Sequence, residues 1–206
     1  MITVWGRASS SNLQKVTWTL DELGVEYERH DRGREFGGTD TADYLAMNPN
    51  GLVPTIRDGD LVLWESHAIC RYLARTYEGE GLLPSDPSRA AQVEKWMDWN
   101  ASHLAPSVFP MFLAAREAKD MAVAKEPRFE KTVAAGRKNL QIMNDQLARQ
   151  DYLAGDAFTL ADMICCVTAA RWIFVGYDLE GLENVAAWFE RCNGRPAGQR
   201  HNLVSF

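Results

Sequence analysis

The sequence predicts a two-domain protein in which a small α/β domain precedes an all-helical domain. Three observations carry this prediction. Short strand-like and helix-like segments alternate over the first 78 residues, a Gly/Pro/Ser-rich segment follows at residues 79–89, and apolar residues then recur at helical spacing. We therefore expect domains over residues 1–78 and 90–206, with residues 79–89 as the linker. A chain of 206 residues is long enough to bury two such cores.

The elements of the first domain are predicted in the order βαβ, helix, ββα. The strands are expected at residues 2–5 and 26–31 and as a hairpin over 55–64, and the helices at residues 13–23, 40–47 and 66–77. Gly24 ends the first helix, and Asp40 or Thr41 caps the second. Asp58-Gly59 marks the hairpin turn. A hairpin after a βαβ unit favours a mixed sheet with helices on its faces.

Apolar periodicity predicts the helices of the second domain. They are expected within residues 91–104, 129–148, 158–174 and 183–194. Four bulky residues of this domain, which could in principle line a binding pocket, are interpreted as core because apolar side chains at helical spacing are usually buried. They are Phe109, Met111, Phe112 and Trp172.

Composition excludes several function classes. A net charge of −6 and a pI of about 5.3 argue against nucleic acid as a partner, because phosphate binding favours a basic surface. The segment MITVWGR has no secretory pattern, and the apolar segment at residues 163–175 is too short to span a membrane. The four cysteines lack CxxC or zinc spacing, so we expect free thiols, no metal and a cytoplasmic location.

Two segments suggest recognition of a peptide-like molecule. In NPNGLVPTI, residues 48–56, Pro54 stands before a strand and Val53-Pro54 is a candidate cis bond, although a trans proline ending a loop is an equal alternative. A cis bond would leave the backbone of Val53 free to pair with an added strand. In WESHAI, Ser66 begins a helix whose amides suit a carboxylate, while Glu65 could pair with an ammonium.

The stretch SSSN, residues 9–12, stands at the start of the first helix. Ser11 and Gln14 have the spacing of a capping box, which predicts a structural role for Ser11.

With these motifs, the chain resembles a glutathione transferase along nearly its whole length, and is similar to bacterial nu-like and theta-like members. NPNGLVPTI resembles the cis-proline loop of the thioredoxin-like domain, and ESHAI resembles the Glu-Ser motif. FTLADM resembles the buried helix cap of the family's helical domain, with Thr159 as N-cap and Asp162 three residues later. Position 5 is Trp rather than the tyrosine of some classes, and the opening loop has no cysteine.

The resemblance implies roles for particular residues. Val53, in its loop with Pro54, would bind the cysteinyl backbone of glutathione, and Glu65 with Ser66 would hold the γ-glutamyl end. Thr39 falls where a longer side chain usually contacts glutathione. Alignment of the opening loop places Ser10 and Asn12 opposite the sulfur.

The implied chemistry is ionisation of glutathione to a thiolate that attacks a small hydrophobic electrophile bound against the helical domain. Lowering a thiol pKa by two requires about 2.7 kcal/mol. One charge-assisted hydrogen bond supplies about 1.5–3 kcal/mol and a helix N-terminus about 0.3–1 kcal/mol. The resemblance also implies a homodimer. Two alternatives remain open: a glutathione-dependent disulfide reductase or peroxidase, and a non-enzymatic binding module.

Overall fold

The computed structural model describes residues 1–201 and 203. It divides into two compact units, Met1–Ser85 and Asp86–Phe206. Residues 202 and 204–206, which the predicted helical domain includes, lie outside the described residues.

The first unit contains a mixed four-stranded sheet and three α-helices within the described chain. Its elements are β1 (Ile2–Trp5), α1 (Ser11–Leu23), β2 (Tyr27–His30), α2 (Ala42–Met47), β3 (Thr55–Asp58), β4 (Leu61–Trp64) and α3 (Ser66–Thr76). The strand order is β2-β1-β3-β4, with β1 parallel to β2 and the other two pairs antiparallel. This is the predicted thioredoxin-like order of elements.

Local signals account for the end of α1 and the start of α2. Gly24 ends α1 in the left-handed conformation at φ 65°, and Thr41 caps α2 by accepting a hydrogen bond from the Tyr44 amide. The hairpin turn differs by one residue from the prediction. Asp58 pairs with Leu61, so Gly59 and Asp60 form the turn instead of Asp58-Gly59.

The core of the first unit lies between the sheet and helices α1 and α3. Its fully buried members come from every layer: Ile2, Val4, Leu13, Val16, Leu20, Ile56, Ile69 and Leu73. The apolar periodicity of α1 therefore faces the sheet, as the spacing predicts.

Apart from an isolated β-bridge between Tyr152 and Gly155, the described secondary structure of the second unit is helical. Its α-helices are α4 (Pro87–Trp99), α5 (Phe109–Ala118), α6 (Glu130–Leu147), α7 (Leu160–Phe174), α8 (Glu183–Asn193) and α9 (Pro196–Gln199). Helix α4 begins at Pro87, inside the segment 79–89 expected as linker. The described part of the chain holds no helix long and apolar enough to cross a membrane.

A buried carboxylate organises the core of the helical unit. Asp162 accepts hydrogen bonds at 2.8 Å from the Leu153 amide and at 2.9 Å from Trp188 Nε1. It also accepts bonds from the amide and the hydroxyl of Thr159, which caps α7 as predicted. Burial raises the pKa of Asp162, although these donors oppose the change. The polar contacts thus tie α7 to α8 and to the loop before α7.

The predicted core role of the bulky residues holds for three of the four. Met111, Phe112 and Trp172 are fully or almost fully buried, and Phe109 is half-buried.

Candidate functional site

The register of the sheet brings the predicted site segments to one edge. Trp5 pairs with His30 on one side and with Thr55 on the other, and Thr55 pairs with Trp64. Residues 5, 30, 55 and 64 therefore form one row across the four strands. Four segments of the chain leave the sheet at this row. Three of them follow β1, β2 and β4, and the fourth precedes β3. These four segments carry the predicted site residues.

The Val53–Pro54 peptide bond is cis, the first of the two alternatives that the sequence allowed. Two buried polar groups hold the loop before it: the Tyr44 hydroxyl donates to the Leu52 carbonyl at 2.7 Å, and Asn48 Nδ2 donates to the same oxygen at 2.8 Å. Neither residue was predicted from the sequence as part of the site. No described residue hydrogen-bonds the backbone N–H or C=O of Val53. The loop therefore presents a free peptide group.

Close approaches place Val53 beside Thr39 and the start of α1. A Cβ atom added to Gly6 would lie 3.4 Å from Val53 Cβ and 3.0 Å from Leu13 Cδ1. A Cβ atom added to Gly33 would lie 3.5 Å from both Val53 Cγ1 and Thr39 Cγ2. The approach to Leu13 at Gly6 is tight, whereas the distances to Val53 and Thr39 are ordinary van der Waals contacts. The structure thus brings Thr39, Val53 and the start of α1 together.

The cap of helix α1 is Ser10, so the prediction that Ser11 closes a capping box was wrong. Ser10 has the extended backbone of an N-cap, at φ −84° and ψ 117°, and its Oγ accepts a hydrogen bond from the Leu13 amide at 3.4 Å. Ser11 is already the first helical residue. A hydroxyl that accepts a bond keeps its proton for donation, so capping leaves Ser10 able to stabilise an anion.

Asn12 lies in a polar chain that the sequence did not reveal. The buried ammonium of Lys15 lies 3.1 Å from Asn12 Oδ1 and 3.2 Å from His67 Nε2. Burial, and then the charges of Lys15 and Arg71, lower the pKa of His67 to about 2. A neutral His67 accepts the hydrogen bond from Lys15. The start of α1 is therefore tied to the start of α3.

Glu65 and Ser66 stand at the start of α3 in an unusual conformation. Glu65 has φ 72° and ψ 109°, a region that residues with a Cβ atom rarely adopt. Its side chain caps nothing, and the buried Ser66 hydroxyl makes no hydrogen bond to any residue that the structure describes. Capping alone therefore does not account for these two residues. The first amides of α3 are available to an anion.

These features together can hold an extended peptide-like molecule. The free backbone of Val53 suits a central peptide group, and the start of α3 suits a carboxylate at one end. The Ser10 hydroxyl and the Asn12 amide are hydrogen-bond donors at the start of α1.

Comparisons with known proteins agree with this geometry. The model of the glutathione S-transferase N-terminal domain matches residues 1–75, and that of the C-terminal domain matches residues 101–196. Glutathione S-transferase GstB of Escherichia coli strain K12 is 37% identical over 210 residues, covering 99% of both chains. The chain belongs to the glutathione S-transferase family. It is an enzyme of that family, as the resemblance implied.

Other relatives extend the comparison. Glutathione S-transferase 3 of Zea mays is 36% identical over 211 residues, covering 97% of this chain and 92% of its own. Among solved structures, the theta-class glutathione S-transferase of Xanthomonas axonopodis pv. citri with glutathione bound has a TM-score of 0.89 and 37% identity. That match covers 99% of this chain and 98% of the other.

Proposed function

We propose that the protein is a glutathione transferase that ionises bound glutathione and transfers it to a small hydrophobic electrophile. The observation that carries the proposal is the row of residues 5, 30, 55 and 64, from which all four candidate segments leave the sheet. The similar theta-class structure with glutathione bound supports glutathione as the co-substrate.

Binding of glutathione would use the backbone of the Val53–Pro54 loop for the cysteinyl peptide group. Ser66 and the first amides of α3 would bind the α-carboxylate of the γ-glutamyl end, and the exposed carboxylate of Glu65 would pair with its ammonium. Thr39 lies beside Val53 and would contact the remaining part of the tripeptide.

Ionisation of the thiol would depend on Ser10 and Asn12. The Ser10 hydroxyl accepts a bond from the Leu13 amide and donates its own proton toward the sulfur. Lys15 occupies Oδ1 of Asn12, so the NH₂ group of this amide is the side that can face a thiolate. One such hydrogen bond contributes about 1.5–3 kcal/mol, which is close to the 2.7 kcal/mol needed to lower a thiol pKa by about two.

The thiolate would then attack the electrophilic carbon. A carbon–sulfur bond forms while the bond to the leaving group breaks, and the leaving group departs with the electron pair. The thiol proton has already passed to solvent. We propose that the helical unit, Asp86–Phe206, supplies the surface for the electrophile.

Titration of bound glutathione tests the assignment. The thiolate absorbance of the complex is followed against pH for the wild type and for S10A, N12A and the double variant. We expect the thiol pKa to rise by about one in each single variant and further in the double variant. S11A is the matched control, because Ser11 lies in the first turn without being the cap. An unchanged pKa in both single variants would show that other groups stabilise the sulfur.

Substrate comparison separates this proposal from the reductase alternative. An aryl halide should be turned over faster than a mixed disulfide of glutathione. The opposite order would favour reduction that uses two glutathione molecules. We further propose a cytoplasmic homodimer, for which light scattering should give twice the 23.2 kDa of one chain.

A further inference from the structure

A cavity of about 440 Å³ lies within the helical unit, and none of its residues is assigned to glutathione or its thiol. Its walls come from three stretches of chain: the segment between α5 and α6, the first half of α6, and the end of α7 with the segment that follows it. The volume falls in the range of about 300–1,000 Å³ that is typical of small-molecule sites. The cavity is therefore a candidate for a second, separate ligand site.

Two aromatic rings, held by hydrogen bonds, form one wall of this cavity. Trp172 is buried, and its Nε1 donates to the Asp178 carbonyl at 3.0 Å. The Tyr177 hydroxyl donates to the Ala124 carbonyl at 3.1 Å, and the centroids of the two rings are 4.7 Å apart at an interplanar angle of 32°. Both ring orientations are therefore set before a ligand arrives, which reduces the entropy lost on binding.

Helix α6 forms another wall, and a glycine lets it lie close to the buried indole. A Cβ atom added to Gly136 would lie 2.5 Å from Trp172 Cζ3 and 3.0 Å from the Ser107 carbonyl oxygen, so a larger residue does not fit here. Glycine in a helix interior is destabilising relative to alanine, and this close packing accounts for its presence. The glycine thus fixes the distance between α6 and the aromatic wall.

Two cations line the cavity without a carboxylate partner. Arg137 of α6 is half-buried, and its Nη2 donates to the Glu180 carbonyl, which leaves the other N–H groups of the guanidinium for a ligand. The ammonium of Lys125 lies 6.0 Å from the centre of the Tyr177 ring. The described salt bridges include neither cation. Both are therefore available to an anion.

The three carboxylates that line the cavity have interactions within the chain. Glu126 forms a salt bridge with Arg128 at 2.7 Å, and Asp178 accepts a hydrogen bond from the Glu180 amide at 3.2 Å. Glu130 is the first residue of α6, where the partial positive charge of the helix N-terminus stabilises it. The charge that remains unmatched in the cavity is therefore positive.

We propose that this cavity binds a planar aromatic carboxylate at a site separate from the one assigned to glutathione. The aromatic ring lies between Tyr177 and the apolar side chains of Val133 and Ala134, and the carboxylate pairs with Arg137 and Lys125. Offset stacking on a tyrosine ring and the planar fork of a guanidinium both favour a flat ligand. The inference does not depend on the proposed function, because the cavity lies entirely within Asp86–Phe206.

Calorimetry with a matched pair of probes tests this site. The binding of 2-naphthoate and of the uncharged 2-naphthamide is measured with saturating S-hexylglutathione, which fills the surfaces proposed for glutathione and the electrophile. We expect the wild type to bind one naphthoate per chain, about 10-fold more tightly than naphthamide. R137Q should lose most of this preference, and K125Q/R137Q should lose all of it. A134F should bind neither probe, because the added ring fills the cavity.

Controls and contrary outcomes complete the experiment. Ala134 is exposed, so A134F should keep the fold, which thermal unfolding checks. K138Q removes an exposed charge from α6 outside the cavity and should bind both probes as the wild type does.

The proposal is wrong if naphthoate does not bind, or binds only when S-hexylglutathione is absent. It is also overturned if A134F binds naphthoate normally, or if the wild type binds acid and amide equally. Failure of S-hexylglutathione itself to bind would contradict the proposed function, and the effect of A134F on naphthoate binding would still decide the separate site.

Discussion

The ammonium of Lys15 lies 3.1 Å from Oδ1 of Asn12, and this contact determines which edge of the Asn12 amide remains available. An ammonium can only donate, so it must face the oxygen of the amide. The NH₂ group of Asn12 has no hydrogen-bond partner within the described chain. We therefore expect Lys15 to act as a positioning residue for Asn12.

Replacement of Lys15 by methionine should weaken thiolate stabilisation without removing any group that touches glutathione. The freed amide would rotate, and the thiol pKa of bound glutathione should rise by about 0.5–1. Absorbance titration measures this pKa. The variant K15M/N12A should show little change beyond N12A, because Lys15 acts through Asn12.

A matched control and one contrary outcome complete this test. K95M removes an exposed lysine and should leave the thiol pKa unchanged. Additive effects of K15M and N12A would show that Lys15 acts on the thiol independently of Asn12.

The half-buried, neutral state of His67 predicts a loss of stability at mildly acidic pH. The folded pKa of about 2 lies below the ordinary value of 6.5, so the unfolded chain binds a proton that the folded chain does not. Stability is therefore full above pH 6.5 and falls as the pH decreases toward 2. Between pH 7 and pH 5 this group should remove about 1–2 kcal/mol from the free energy of unfolding.

Denaturant unfolding of the wild type and H67Q at pH 7 and pH 5 measures this contribution. The stability difference between the two pH values should be smaller in H67Q by about 1–2 kcal/mol, since glutamine can accept from Lys15 but does not titrate. The exposed His103 provides the control variant H103Q. Equal pH dependence of wild type and H67Q would mean that His67 titrates alike in both states.

The backbone of Glu65 predicts a conflict between stability and binding. A residue with a Cβ atom at φ 72° and ψ 109° costs about 1–3 kcal/mol, whereas glycine adopts this region more easily. E65G and E65A both lose the carboxylate and differ only in the Cβ atom. E65G should therefore be the more stable of the two by about 1 kcal/mol, after its larger loss of conformational entropy.

Both Glu65 variants should bind glutathione more weakly than the wild type. Thermal unfolding and calorimetry on the same preparations measure the two quantities. If E65A matched or exceeded the stability of E65G, the strain at Glu65 would be no larger than the extra conformational entropy that glycine loses on folding.

Much of the fold could be predicted because its signals are local. Gly24 and Thr41 act on the backbone within a few residues, and Thr159 meets Asp162 across a single helical turn. Local signals do not always identify the residue at which a helix begins. Ser10 and Ser11 both have the chemistry of an N-cap, and the direction in which the chain leaves β1 places Ser10 in the extended position.

The sequence by itself determined the order of elements, the family and the candidate residues of the site. Only the tertiary structure decided which distant residues meet. Lys15 and His67 are 52 positions apart, and Arg7 reaches Gly33 only because β1 and β2 pair in parallel register. Periodicity and caps act over one or two turns of chain, whereas such contacts depend on the packing of α1 against α3 and on the register of the sheet.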